Sequence, residues 1–369
     1  MRAAVLYEAN TPIVIEDVTL VGGPGRDEVL VRIAATGICH SDYHVVNGTW
    51  HGEDYPLPVV LGHEASAIVE EVGSDVKRLK RGDHVILSFV PTCGRCRFCA
   101  SGEQHLCNGT KFKMGTLADG SRRIKVGDTT LWHFGAMSSY ADYSIVHESQ
   151  AIPIPLDFPL DRAALIGCAT MTGVGAVLNT AKVEPGSTMA VFATGGVGLN
   201  VVQGGVLASA SKIIAIDLLD NKLEFARSVG ATHLVNSGRD DPIAAIKEIT
   251  GGVGVDYAFD AIGLPKVSRQ AYDVTRRGGT TVVVGMAPTG DQIPIPATIA
   301  GLSKTVKGCF YGSTRPSIDF PRLVDFDQRG LLQLGKIISR HYRLEDVNEA
   351  FDALHRGDNA RGIMVLATA

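Results

Sequence analysis

The chain has 369 residues, too many for one ordinary hydrophobic core, which points to two domains. It is 45% hydrophobic and 20% charged with a net charge of −4, a globular composition without the dense positive field that nucleic-acid binding needs. The start, MRAAVLYEAN, has no basic region followed by a long apolar run, and no stretch reads as the ~18 apolar residues of a membrane span, so a cytoplasmic protein is expected.

From the N-terminus to about Asp83 the sequence predicts short strands between turns. EVLVRIAATGIC, HEASAIVEEVG and DHVILSFV are rich in β-branched residues and bounded by Gly, Pro or Asp, which makes a mostly-β lobe. A cysteine-rich loop follows, PTCGRCRFCASGEQHLC, and then a polar segment, GTLADGSRRIKVGDTTLWHFG. From about Thr170 the pattern changes. GSTMAVFATGGVGLNVVQGGVLASASKIIAIDL predicts strand, glycine turn, helix and strand, and VDYAFDAIG and GTTVVVGM are the continuous apolar runs of a doubly covered parallel sheet. Alternating strands and helices imply a doubly wound α/β domain. The last segment, LEDVNEAFDALHRGDNARGIMVLATA, predicts an amphipathic helix and a final strand.

The turn Ala193-Thr194-Gly195-Gly196-Val197-Gly198 lies between an apolar strand and a helix, where a dinucleotide site would place it. Glycines let backbone approach a pyrophosphate, whose charge meets the unpaired amides of the helix start. Ala193 replaces the first glycine of the usual fingerprint and is expected to keep φ negative. At the end of the next strand stands Asp217, whose carboxylate would accept from ribose hydroxyls and repel a 2′-phosphate, favouring NAD over NADP.

Cys93, Cys96, Cys99 and Cys107 offer four soft ligands to one tetrahedral ion. Redox and Fe–S roles use similar spacings, but in a reducing compartment zinc is the preferred reading. Four thiolates close the ion's coordination, so this site braces a loop and cannot catalyse. Cys39 in GICHSDYH, His63 in LGHE and Cys168 in IGCAT are weak signals singly. Together they would make a Cys2His set with an open fourth position, as catalytic zinc requires.

Six collinear stretches carry a resemblance over essentially the full length. They are GICHSDYH, LPVVLGHEASAIVEEVG, CGRCRFCASGEQHLC, ALIGCATMTGVGAVLNTA, FATGGVGLN and IAIDLLDNKLEFARSVGATHLVN. The sequence resembles the zinc-dependent alcohol dehydrogenases of the medium-chain dehydrogenase/reductase superfamily, most of all the bacterial enzymes related to class III and nicotinoprotein alcohol dehydrogenases. The long segment between Cys107 and GAMSSYADY supports that placing. The resemblance implies an α/β fold with a GroES-like, mostly-β catalytic domain over 1–169 and 313–369, carrying a structural zinc lobe at about 91–110. A Rossmann NAD-binding domain would span 170–312.

It also implies two zinc ions, a catalytic one on Cys39, His63 and Cys168 and a structural one on the four clustered cysteines. Glu64 would sit behind the catalytic metal, and Asp42 would hydrogen-bond the ligating histidine. Ser41 and His44 would relay the proton, although the helix from His40 does not itself fix their direction. Thr172 and Val197 would lie beside the nicotinamide, Lys222 near the adenosine ribose and Arg361 at the pyrophosphate. His40 occupies a position that is often Arg in relatives, and Cys309 reads as a core residue.

The expected reaction is NAD-linked, reversible oxidation of a primary alcohol to the aldehyde, with hydride leaving a zinc alkoxide. Trp50 and Phe89 suggest a pocket for an aromatic, allylic or medium aliphatic alcohol, or are ordinary core aromatics. An alternative is a thiol-dependent formaldehyde dehydrogenase acting on an S-hydroxymethyl adduct, for which Lys111 is the nearest basic anchor. A zinc-free reductase is disfavoured by the full Cys2His set, and a non-enzymatic zinc-binding protein by the acidic balance and the dinucleotide turn. TIAGLSKTVKGCFYGS, Thr298 to Ser313, matches the family's intersubunit edge strand, so a homodimer is expected, with no nucleic-acid or membrane partner.

Overall fold

Apolar strands at the centre of the N-terminal region organise the first of two units. In the computed structural model, which describes residues 1–288 and 290–366, this unit comprises Met1–Cys168, Arg315–Arg329 and the chain from Ile338 onward. Its central strand, Glu28–Gly37, pairs antiparallel with Ala65–Val72, Tyr143–His147 and Arg361–Val365. His84–Leu87 and Ala151–Ile154 extend the sheet on one side, and Ile338–Tyr342 lies parallel to Arg361–Val365 on the other. Val29, Val31 and Ile33 bury with Ala65, Ala67, Val69, Val85 and Leu87 as one core, because these strands carry apolar side chains on the face they share. Helix α1, His40–Val46, starts two residues beyond the central strand, with Cys39 at its N-cap.

The second unit comprises Ala169–Thr314 and Gly330–Ile337. Its strands are β1 (Thr188–Phe192), β2 (Lys212–Asp217), β3 (His233–Asn236), β4 (Val255–Asp260), β5 (Thr275–Val283) and β6 (Thr305–Gly308). All pair in parallel in the order β3-β2-β1-β4-β5-β6, the doubly wound arrangement whose order reverses at the β1/β4 crevice. Helices α2 (Gly196–Leu207) and α3 (Asp220–Ser228) follow β1 and β2. Continuous apolar runs were the right sign of this sheet: Ala190, Phe192, Ile214, Ile216 and Ala258 are buried in one core.

Two expectations need correction. The segment Gly330–Ile337, placed with the catalytic domain from the sequence, belongs to the second unit, where the Gln333 amide donates to Gln203 Oε1 at 2.7 Å. The chain also contains a helical path long and apolar enough to cross a membrane, Leu160–Ala181, of 22 residues. Of its most apolar window 78% is buried inside the protein, which marks a core helix. Two of its turns, Ile166–Thr170 and Ala176–Ala181, are wound as π-helix.

Candidate active site

Cys39, His63 and Cys168 come together at the end of the central sheet of the first unit. Their donor atoms all lie within 4.8 Å of one another, and all three residues are buried. Cys39 leaves the central strand at the N-cap of α1, and His63 precedes the strand Ala65–Val72. Cys168 sits in the π-helical turn Ile166–Thr170, a widened geometry that recurs at functional positions. Cys168 Sγ stands 3.3 Å from His63 Nε2. On the other side of the ring, His63 Nδ1 is 3.1 Å from Asp42 Oδ2, an ion-pair approach rather than a well-aligned hydrogen bond. Asp42 is itself fixed by the Gly62 amide, which donates to Oδ1 at 2.8 Å.

The electrostatics suit a cation. Cys39 is held well below the ordinary thiol range, first by a hydrogen bond from Cys168, and the same contact together with burial drives Cys168 well above it. Burial opposes charge on His63, yet Asp42 and Cys39 outweigh it and raise the imidazole. Two sulfurs and one ring nitrogen, buried at mutual contact with a carboxylate behind the ring, fit the three protein ligands of a catalytic zinc. Glu64 lies next along the chain, buried, and its carboxylate takes a short contact from the Arg361 guanidinium. Gly37 is required beside them, since a Cβ there would meet Glu64 Cδ at 2.6 Å and Arg361 Nη2 at 2.9 Å.

The four clustered cysteines also converge within 4.8 Å. The Cys93 amide donates to Cys107 Sγ and the Cys96 amide to Cys93 Sγ, each at 3.3 Å. Backbone amides of Cys99 and Asn108 bring Cys96 down to about 6, whereas burial pushes Cys99 up to about 12. Four sulfurs this close, already met by backbone donors, fit a closed structural zinc. A Cβ at Gly109 would lie 2.4 Å from Cys93 Sγ, so that glycine lets the lobe close.

In the second unit the turn after β1 departs from expectation. Ala193 has φ +67°, not negative. Its amide donates to Ile216 O at 2.8 Å and the Thr194 amide to Asp217 Oδ2 at 2.7 Å, so two bonds to β2 hold the left-handed turn against its steric cost. Gly198 serves packing, because a Cβ there would lie 1.9 Å from Ala193 O. A Cβ at Gly195 would instead meet open space at the start of α2, the approach a pyrophosphate needs. Gly173, next to Thr172, presses on the same helix start, with Val197 O 2.5 Å from its Cβ position.

Comparison with known proteins decides the family. The zinc-binding dehydrogenase family matches residues 196–328, and the alcohol dehydrogenase GroES-like domain matches residues 25–156. An alcohol dehydrogenase class-3 from Cereibacter sphaeroides is 38% identical over 99% of both chains. An S-(hydroxymethyl)glutathione dehydrogenase from Paracoccus denitrificans is 37% identical, again over 99% of both. The crystal structure of benzyl alcohol dehydrogenase from Acinetobacter calcoaceticus superimposes with a TM-score of 0.92 at 33% identity, covering 99% of each chain. The chain belongs to the zinc-dependent alcohol dehydrogenases of the medium-chain dehydrogenase/reductase superfamily. Zinc and NAD are the cofactors of this dehydrogenase.

The remaining residues divide. Ser41 and His44 share one side of α1, three positions apart, although no hydrogen bond joins them among the described residues. Burial lowers the pKa of His44, whose Nδ1 is enclosed without a hydrogen-bond partner among the described residues. Trp50 is a core residue of this dehydrogenase, 5% exposed and packed between His44 and Tyr55. Phe89 does reach the metal site, its ring edge-on to His63 at 5.5 Å. Phe134, missed from the sequence, does the same at 5.4 Å. The signal was Gly135: a Cβ there would lie 2.4 Å from His63 Cβ, so the loop must cross the histidine closely. Arg361 stands against Glu64 in the first unit, His40 is exposed at the start of α1, and Lys222 is half-buried on α3. Cys309 is buried and accepts from the Thr180 hydroxyl at 3.3 Å.

Proposed function

We propose that this dehydrogenase oxidises, with NAD, the hydroxymethyl adduct that formaldehyde forms with a thiol. The observation that carries this reading is the full-length likeness to relatives named class-3 alcohol dehydrogenase and S-(hydroxymethyl)glutathione dehydrogenase, on a chain that keeps the whole Cys39, His63 and Cys168 set. Zinc bound there supplies Lewis acidity that loosens a hydroxyl proton. Asp42 steers the His63 ring, and Phe89 and Phe134 exclude water from beside it. Ser41 receives the proton and passes it to His44, which burial keeps neutral and therefore able to accept. Asp217 takes the adenosine ribose hydroxyls with Lys222 beside it, while amides at Gly195 and Gly196 meet the pyrophosphate. Thr172 and Val197 flank the nicotinamide.

Lys111 is exposed and enters no ion pair among the described residues, which suits an anchor for a carboxylate on the thiol. A second reading, oxidation of an aromatic primary alcohol, is favoured by the benzyl alcohol dehydrogenase likeness and by the two aromatic edges at His63. Turnover with formaldehyde alone, with formaldehyde plus glutathione or another small thiol, and with benzyl alcohol separates them. The thiol adduct should show the highest kcat/KM; if added thiol changes nothing and benzyl alcohol turns over well, the second reading stands. All seven cysteines are free, which supports a reducing, cytoplasmic setting. We also propose a homodimer, because β6 ends the parallel sheet with Thr305, Lys307 and Gly308 exposed.

A further inference from the structure

Asp217 offers little room for the ligand assigned to it. Its Oδ2 accepts from the Thr194 amide at 2.7 Å and from the Thr194 hydroxyl at 3.0 Å. Its Oδ1 accepts from the amides of Leu218 at 2.8 Å and Leu219 at 3.2 Å. A carboxylate presents about four lone-pair sites, so each has a donor already. A ribose edge brings two adjacent hydroxyl donors of its own. Three of the present donors are backbone amides, one held by the turn at Ala193 and two at the entry to α3. Only the Thr194 hydroxyl can move away without moving the chain, by rotation about its Cα–Cβ bond.

We infer that the Thr194 hydroxyl is a place-holder on Asp217: it yields its lone pair on Oδ2 to a ribose hydroxyl as NAD binds and reclaims it as the coenzyme leaves. This rests on the assignment of Asp217 to the ribose. The hydroxyl then competes with coenzyme, weakening its binding and speeding its departure, and so bears on whether NAD leaves at each turnover. The charge that discriminates against a 2′-phosphate is untouched.

Thr194→Val keeps the branched shape and the three amides but removes the competitor. In the zinc-loaded enzyme, NADH affinity from nicotinamide fluorescence should tighten by about tenfold, the lower end of the scale for one hydrogen bond to a charged acceptor. NADH release in stopped flow should slow by a similar factor, and Thr194→Ser should restore wild-type binding. Thr194→Ala is read in the same way if the Val variant does not fold. Equal or weaker binding in a variant that melts at the wild-type temperature overturns the inference. Asp217→Ala tests the underlying assignment separately: if NADH binding is unchanged there, the ribose reading falls, whatever Thr194 does.

Discussion

Cys39 is where a single atom change should speak most clearly. Replacing its sulfur by oxygen in Cys39→Ser leaves the α1 start and the strand before it in place but removes one soft ligand of three. One of the two zinc ions should be lost by metal analysis and activity should fall by at least about 10³-fold, with the far-ultraviolet circular dichroism unchanged. Wild-type protein with one zinc per chain or none would reject the two-site assignment. His133 offers a test by pH. Burial, followed by the charge of Arg123, depresses its pKa from an ordinary 6.5 to about 3, and its Nδ1 sits 2.9 Å from Ser138 Oγ. The unfolded ring takes its proton near 6.5 and the folded ring only near 3. Its contribution is therefore whole above about 6.5 and is lost as pH falls toward 3, at no more than about 1.4 kcal/mol per unit. Denaturant unfolding across that range should show a steeper loss in the wild type than in His133→Asn, and equal slopes would refute the shift. Legibility at this scale followed chemistry. Cysteines and histidines announce themselves by type and spacing, so every zinc ligand was visible in the sequence. Phe134 was not singled out and Trp50 was left between pocket and core, because only the path of a loop decides which aromatic reaches His63.

Among elements, the four-cysteine lobe and the turn after β1 carry separable predictions. A lobe held by one ion has little apolar core of its own, so Cys96→Ser should lower the melting temperature and shed zinc, since metal binding there is folding energy. Thermal unfolding with and without a chelator measures it; a variant that melts like the wild type and keeps both ions would show that the lobe stands without the metal. Ala193 at φ +67° occupies glycine's region. Ala193→Gly relieves roughly 1 kcal/mol of steric cost and gives back part of it through the freer unfolded chain, so a small rise in the denaturation midpoint is expected. A fall would mean that the turn holds alanine without strain. Strands were largely readable, because apolar runs and glycine punctuation are local signals; their order in the sheets was not read. The helical path Leu160–Ala181 was less so: it is apolar nearly all round, and its π-turns break the 3.6-residue period that reveals an amphipathic helix.

For the molecule as a whole, the expected mass is that of two chains. β6 is an exposed end of the sheet, and a symmetric partner laid along it would satisfy its free backbone groups. Light scattering at micromolar protein checks this; four chains would reject the dimer, and a single chain would reject edge pairing altogether. The boundary between units was legible at about Thr170, where strand grammar gives way to alternation. The return of Gly330–Ile337 to the second unit was not, because no composition change marks it. The chain order of the first unit has a further consequence, for biosynthesis. Its sheet keeps the strand Arg361–Val365 in an interior place, between Glu28–Gly37 and Ile338–Tyr342, and Arg361 meets Glu64 across 297 residues of sequence. A nascent chain on the ribosome therefore presents Cys39 and His63 early but cannot complete that sheet until the strand Arg361–Val365 emerges. A chain stopped short of Arg361 leaves the ribosome with that sheet open on either side of the missing strand.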